Sequence, residues 1–373
     1  MKIIFLCGSL EPGRDGVGDY TRRLAIQMMK QGHEVAAISL NDWHVQQEYL
    51  GNQQAEGHNL QTLRLPSVWA PNKRFKRAKE WITLFDPEWL SLQFVNFAFH
   101  LRGLQFGLGS WLASIGENRK WHIMFHELWV GMAIGAKPKH VLWGKAQRIL
   151  IKSLLSKIKP SLINTQSHLY MAQLARLGYK AEFLPLFSNI PKLENGIEKD
   201  ESIRHTNNID FIVFGSIHPS SPIEQFAKEV HEYARKNGSK ISFTFVGRSG
   251  HELDHWVSVL KSESFEVELM GEQPPEKISQ ILSDASVGIS TSSIAYIEKS
   301  GTVVAMRDHG LPVVCVAKAV QLYDMQYVAP PYGILEYKIG NLEECLKMKF
   351  ELAENDTIKK VADLMEEALA SKN

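Results

Sequence analysis

Ser300, Gly301 and Thr302 stand together where a loop enters a short helix, and phosphate is the ligand such a group suits. A helix entrance leaves backbone N–H groups without intrahelical partners and carries the positive end of the helix dipole. Hydroxyls and a glycine at that point let an anion approach the backbone closely. The surrounding residues supply the frame. Ala285-Ser286-Val287-Gly288-Ile289-Ser290 reads as a short buried strand, and Thr302 to His309 as a helix. Gly310-Leu311-Pro312 stops that helix, and Val313 to Ala317 makes the next strand.

The rest of the chain repeats this alternation. Lys2 to Gly8 is a continuous apolar run of the kind buried on both faces of a parallel sheet. After the loop Ser9 to Gly18, a helix is expected from about Asp19 to Gln31, with Leu24, Met28 and Gln31 in one stripe. A strand over His33 to Ser39 completes a βαβ start. Trp89 to Phe97, Trp121 to Phe125 and Leu162 to Thr165 are further strand candidates. A helix over His168 to Leu177 precedes a return to the sheet over Ala181 to Leu186. Asn189 to Asn208 is polar and reads as an interdomain linker. The pattern then restarts with strands over Ile209 to Gly215, Ile241 to Gly247 and Glu266 to Gly271, separated by helical segments, and Leu342 to Ala370 is largely helical. The expected class is α/β, with two Rossmann-like doubly wound domains and sites at the carboxyl ends of the strands.

With 373 residues the chain has room for two domains, and its composition is that of a globular protein. Cys7 and Cys315 sit in apolar runs, which suits buried thiols in a reducing, cytoplasmic compartment. The N-terminus lacks the pattern of a signal peptide, and no apolar run is long enough for a transmembrane helix. Residues 1–185 contain 23 Lys+Arg against 13 Asp+Glu, whereas the remainder contains 19 against 28. The first half therefore faces something anionic. Lys137 to Lys159 concentrates this charge, with seven cations and no carboxylate. It reads either as a solvated helix packed on a sheet or as a basic amphipathic surface for an anionic membrane. No G-x-G-x-x-G, Walker A loop, H-E-x-x-H or paired C-x-x-C occurs, which weighs against a nicotinamide dehydrogenase, a P-loop enzyme and a zinc protein. Neither a metal, a cofactor nor a nucleic-acid partner is expected.

Several landmarks share an order. Gly16-Val17-Gly18-Asp19-Tyr20 follows the first strand, and Gly32-His33-Glu34-Val35 closes the first helix. Phe125-His126-Glu127 and Asn164-Thr165-Gln166-Ser167 come next, then Phe214-Gly215-Ser216 and Phe245-Val246-Gly247-Arg248. Met270-Gly271 and Gly310-Leu311-Pro312-Val313-Val314 complete the series. Over residues 1–320 this resembles a GT-B glycosyltransferase, close to the retaining glycosyltransferase family 4 (group 1) that includes sucrose- and mannosyl-transferring enzymes. The resemblance implies an N-terminal acceptor-side domain over 1–188 and a nucleotide-sugar-binding domain over 189–340. A C-terminal helical segment over 341–373 would cross back to the first domain. The two domains would face a central cleft, with a nucleotide-sugar as substrate and no metal.

The resemblance also assigns roles. His126, at the end of an apolar strand, would contact the transferred sugar near the reaction centre; otherwise it is a hydrogen-bonded structural histidine. Glu298 aligns with the first glutamate of the family's E-x7-E signature and would contact the donor's sugar hydroxyls. Ser300, Gly301 and Thr302 would hold the diphosphate, although Ser300 also suits a plain N-cap. Gly16 and Gly18 would bring a flexible loop to the donor phosphate or sugar, or make a tight turn with positive φ. Gly215 and Ser216 would line the donor side, and Arg248 would reach the diphosphate or remain a surface arginine. Asp19, Tyr20 and Glu127 fall on the acceptor side, and Glu127 could equally cap a turn. Two features depart from the family. Ala305 or Met306 stands where the ribose-holding second glutamate belongs, and the cations expected after the first strand of the second domain are missing, Ser216 and Ser220-Ser221-Pro222 standing instead. His218 is a candidate replacement for one of them.

The expected activity is transfer of a sugar from a nucleoside diphosphate to an acceptor hydroxyl, with retention. The basic first domain favours an anionic or lipid-linked acceptor, as in polysaccharide or glycolipid assembly. A catalytically degenerate GT-B module acting as a binding or scaffolding subunit is the alternative, and a sugar-nucleotide epimerase ranks below both.

Overall fold

The computed structural model describes residues 1–193, 208–322, 329–348, 350 and 357–372. Most of the expected linker, residues 194–207, lies outside them, as do 349 and 351–356 within the expected C-terminal helical segment. The chain divides into two compact units, the first mainly Met1–Asn189 together with residues from Ile358 onward, the second mainly Ile190–Gln321 and Gln326–Thr357.

The strands of the first unit are β1 (Lys2–Cys7), β2 (Glu34–Asp42), β3 (Tyr49–Ala55), β4 (His58–Pro66), β5 (Trp89–Phe94), β6 (Lys120–Phe125), β7 (Leu162–Thr165) and β8 (Glu182–Phe183). Its helices are α1 (Gly16–Lys30), α2 (Pro71–Phe85), α3 (Asn96–Phe99), α4 (Leu108–Gly116), α5 (Pro138–Ile158) and α6 (His168–Arg176). The sheet runs β3-β4-β2-β1-β5-β6-β7-β8 and is parallel except for the antiparallel β3–β4 pair. That hairpin was not expected from the sequence. Glu56 and Gly57 both have positive φ between its strands, as a tight primed turn requires.

The second unit contains β9 (Asn208–Phe214), α7 (Ile223–Asn237), β10 (Lys240–Val246), α8 (Leu253–Ser262), β11 (Glu266–Gly271), α9 (Pro275–Asp284), β12 (Val287–Ser290), α10 (Gly301–Asp308), β13 (Val313–Cys315), β14 (Ile334–Glu336) and α11 (Leu342–Leu346). Its sheet order, β11-β10-β9-β12-β13-β14, is parallel throughout and reverses direction between β9 and β12. This is the doubly wound order whose crevice opens at the strand carboxyl ends beside the reversal.

The last helix, α12 (Thr357–Ala370), inserts Val361, Ala362, Met365 and Leu369 into the core that holds Ile3, Phe5, Leu24 and Trp89. Each of the larger side chains contributes roughly 1.5–3 kcal/mol by leaving water. At its rim, Gln31 donates to Asp363 at 2.5 Å, and His33 Nε2 lies 3.2 Å from Glu366. Cys7, Cys315 and Cys345 are all buried as free thiols.

Candidate functional site

In the second unit, β12 delivers the chain to Thr291, and a 3-10 helix over Ile294–Lys299 leads to Ser300. Ser300 adopts an extended conformation and caps α10, whose first residue is Gly301. Its hydroxyl accepts from the Val303 N–H at 3.5 Å and lies 3.2 Å from the Thr302 hydroxyl. The cap bond is long, so this helix entrance keeps its donors and its dipole available.

The strand ends close around it. Gly215 follows β9 with φ +85°, and a Cβ there would sit 2.9 Å from Thr302 Cγ2. Only glycine satisfies both the backbone conformation and this approach. The Gly215 N–H donates to the Val246 carbonyl at 2.8 Å, and the Gly247 N–H to the Gly271 carbonyl at 2.7 Å. Ser216 Oγ donates to the Arg248 carbonyl at 3.3 Å. Thr291 Oγ1 accepts from the His218 N–H at 2.8 Å and donates to the Ser216 carbonyl at 3.3 Å. Gly215, Ser216, Ser300, Gly301 and Thr302 are thus gathered at the β9/β12 reversal. Arg248 is near the same edge but exposed, with Nε 3.4 Å from Glu272. Glu298 is half-buried on the 3-10 helix, directly before the entrance.

Lys299 and Thr291 were not singled out from the sequence. Burial lowers the His218 pKa, and the Lys299 charge lowers it further. A cation therefore acts on the loop after β9, where the expected arginine and lysine are missing. Its neighbour in sequence, Glu298, was the only available signal. Ala305 and Met306 are both buried, and a Cβ on Gly288 would lie 2.6 Å from Met306 Sδ. The far half of α10 faces the sheet, so the position of the family's second glutamate is a core position here.

The first unit treats its corresponding residues differently. Gly16 and Gly18 belong to the first turn of α1, and neither has positive φ. The Asp15 carboxylate accepts from the Val17 N–H at 2.9 Å and the Gly18 N–H at 2.8 Å. This corrects the expected helix start and the positive-φ turn, and the helix end carries an anion of its own. Gly18 is needed for packing, since a Cβ would lie 2.5 Å from the Ser9 carbonyl oxygen. Asp19 accepts from the Gly13 N–H at 3.0 Å and pairs with Arg22, so it braces the preceding loop. Tyr20 is corrected as well. It is buried, stacked on Phe187 at 4.4 Å and edge-on to His126 at 4.8 Å.

His126 sits just beyond β6 and is 5% exposed. Gln166 Nε2 lies 3.3 Å from its Nδ1, and its Nε2 lies 3.0 Å from Gln93 Oε1. The chain of contacts continues across β5, β6 and β7. Gln93 donates to Ser91 Oγ at 2.8 Å, Ser91 Oγ lies 2.8 Å from His122 Nδ1, and His122 Nε2 lies 3.1 Å from Asn164 Oδ1. A single proton arrangement satisfies every link, with both histidines neutral and protonated on Nε2. Burial lowers the His126 pKa to about 3, with the neighbouring His122 adding to the effect, and lowers that of His122 to about 4. Both His126 nitrogens are therefore engaged within the protein, and a direct ring contact to sugar would require one of these bonds to break. Glu127 follows, half-buried.

Ser9 Oγ and the Leu10 N–H both reach the buried Asp42 carboxylate at 3.1 Å, and Arg64 Nε donates to it at 2.8 Å. Burial pushes this carboxyl up, but the Arg64, His44 and Leu10 hydrogen bonds outweigh that and hold it below the ordinary range. The loop between β1 and α1 is fixed from below by this pair.

The sequence matches no protein-family model and no curated protein. The structure is similar to HepE from Anabaena in complex with UDP-glucose, with a TM-score of 0.60, 14% identity and full coverage of both chains. The catalytic domain of starch synthase IV from Arabidopsis thaliana, bound to ADP and acarbose, gives a TM-score of 0.57 at 11% identity, covering 100% of this chain and 99% of that one. The fold is GT-B. A proposed UDP-N-acetylglucosamine 2-epimerase from Listeria monocytogenes shares it, with a TM-score of 0.51, 11% identity and coverage of 97% of this chain and 90% of that one. At these identities the GT-B fold says how the chain is built, and the chemistry must be argued from the site.

Proposed function

We propose that the protein is a glycosyltransferase that takes a sugar from a nucleoside-diphosphate donor and transfers it to an acceptor hydroxyl with retention. The observation that carries this reading is the α10 entrance, where Ser300, Gly301 and Thr302 meet Gly215 at the sheet's topological reversal. That geometry suits a diphosphate, whose charge grows as the sugar leaves and is best stabilised by fixed dipoles and hydroxyls. Structures of the same fold hold UDP-glucose, UDP or ADP, which supports a nucleotide donor.

In this reading Glu298 contacts hydroxyls of the transferred sugar, and Lys299 supplies the cation missing after β9. Arg248 reaches the diphosphate by exchanging its pairing with Glu272. The bond from the anomeric carbon to the phosphate oxygen breaks, the acceptor oxygen bonds to that carbon on the same face, and the departing phosphate oxygen takes the acceptor's proton. His126 acts as a positioning residue that holds Gln93 and Gln166 at the strand ends. The acceptor is anionic or lipid-linked and is taken by the basic first unit, a role in polysaccharide or glycolipid assembly.

The burial of Met306 favours one other reading, a GT-B module that binds a partner and no nucleotide-sugar, since no side chain there can grip a ribose. Incubation with a panel of nucleotide sugars, with and without candidate acceptors, separates the two. Acceptor-dependent release of nucleoside diphosphate supports transfer. Neither binding nor release with any donor points to the module, and donor conversion without acceptor points to an epimerase.

A further inference from the structure

The helix α5 carries a surface that nucleotide-sugar chemistry does not use. Its buried face consists of Gly144, Gln147, Ile151, Leu154, Leu155 and Ile158. The opposite face places Leu142 and Ile149 one heptad apart, and they are 71% and 69% exposed. Lys139, Lys145, Arg148 and Lys152 flank them, all exposed. Between Glu127 and Glu182 the chain contains no acidic residue, so nothing in that stretch neutralises the cluster. The loop before α4 adds Leu101 and Phe106, 77% and 72% exposed. It is tied to α5 by a 2.7 Å bond from Trp143 Nε1 to the Arg102 carbonyl, and Phe97 of α3 packs edge-on to Trp143.

We propose that this face of the first unit docks on an anionic lipid bilayer, with Leu101, Phe106, Leu142 and Ile149 entering the headgroup region and the flanking cations meeting lipid phosphates. Charge complementarity selects the occupant. Cations alone would serve any polyanion, and a solvated helix would carry polar residues at 142 and 149. Large apolar side chains at the centre of a carboxylate-free basic face match the interfacial helix, whose binding combines apolar insertion with attraction to anionic headgroups. None of the helices among the described residues is long and apolar enough to cross a membrane, so the contact is with one leaflet. The proposal stands apart from the transfer reaction, since none of these residues belongs to the donor site.

The test is co-sedimentation of the full chain with vesicles of phosphatidylcholine alone and of phosphatidylcholine mixed with phosphatidylglycerol. The wild type is expected to sediment only with the anionic vesicles, and less so at high salt. Neutralising three cations (Lys145→Gln, Arg148→Gln, Lys152→Gln) should weaken binding about 100-fold. The apolar variant (Leu142→Ser, Ile149→Ser) should weaken it about tenfold, with unchanged thermal unfolding for both. No sedimentation of the wild type with anionic vesicles overturns the proposal, as does equal binding to neutral ones. An apolar variant that binds like the wild type also overturns it, because the patch would then be a site for soluble polyanions.

Discussion

Two helix entrances in this chain, those of α1 and α10, each follow a strand that borders its sheet's reversal, β1 and β12, and are finished in opposite ways. At α1 the Asp15 carboxylate takes the Val17 and Gly18 N–H groups, and Gly18 packs against the Ser9 carbonyl. At α10 a neutral Ser300 makes one long cap bond, beside the glycine turn after β9. The first helix end brings its own anion and is closed to another. The second is finished with hydroxyls and glycines, which leaves room for an anion from outside. Glycine at a helix entrance therefore goes with two different finishes, and the residue just before the helix decides between them.

The sharpest way to break this comparison is at Gly215. A valine there would meet Thr302 and adopt an unfavourable φ, so Gly215→Val should weaken nucleoside-diphosphate binding about 100-fold, measured by calorimetry, and lower the melting temperature. Converting one entrance into the other comes next. Ser300→Asp keeps a good cap but places a carboxylate where the diphosphate would sit, so the melting temperature should hold while affinity falls about tenfold. The reciprocal change, Asp15→Ala, should cost about 1 kcal/mol in denaturant unfolding and leave donor affinity unchanged.

The buried chain beside α1 carries a pH signature that the α10 entrance lacks. His122 and His126 are held neutral, with folded pKa values of about 4 and 3 against an ordinary 6.5. The unfolded chain binds these protons first, so stability is full above pH 6.5 and declines below it. Each histidine adds to this loss until it titrates in the folded state. Urea unfolding across pH 7 to 5 checks the sign, and His122→Asn should flatten the slope.

The parallel strands were legible because strands buried on both faces are continuous apolar runs, as in Lys2 to Cys7 and Val287 to Ser290. The α10 entrance was legible because its hydroxyls and glycine are adjacent in sequence. Other features were hidden for identifiable reasons. Tyr49 to Ala55 is too polar to read as a strand and is held only by its pairing with β4. Gly16 and Gly18 suggested a loop because glycine is a poor helix former, a cost that the Asp15 cap offsets. The partners of His126 lie 33 and 40 residues away on neighbouring strands, and no local pattern announces them. Met306 was recognisable as a departure from the family, but its burial needed the packing against Gly288.

In the proposed reading the α10 entrance, and not the α1 entrance, holds the donor's diphosphate. Calorimetric titration of wild type, Ser300→Asp and Asp15→Ala with UDP, GDP and ADP tests it directly. At least one nucleotide is expected to bind the wild type, to bind Ser300→Asp about tenfold more weakly, and to bind Asp15→Ala with equal affinity. Failure of all three to bind the wild type, or a loss in Asp15→Ala as large as that in Ser300→Asp, would contradict it.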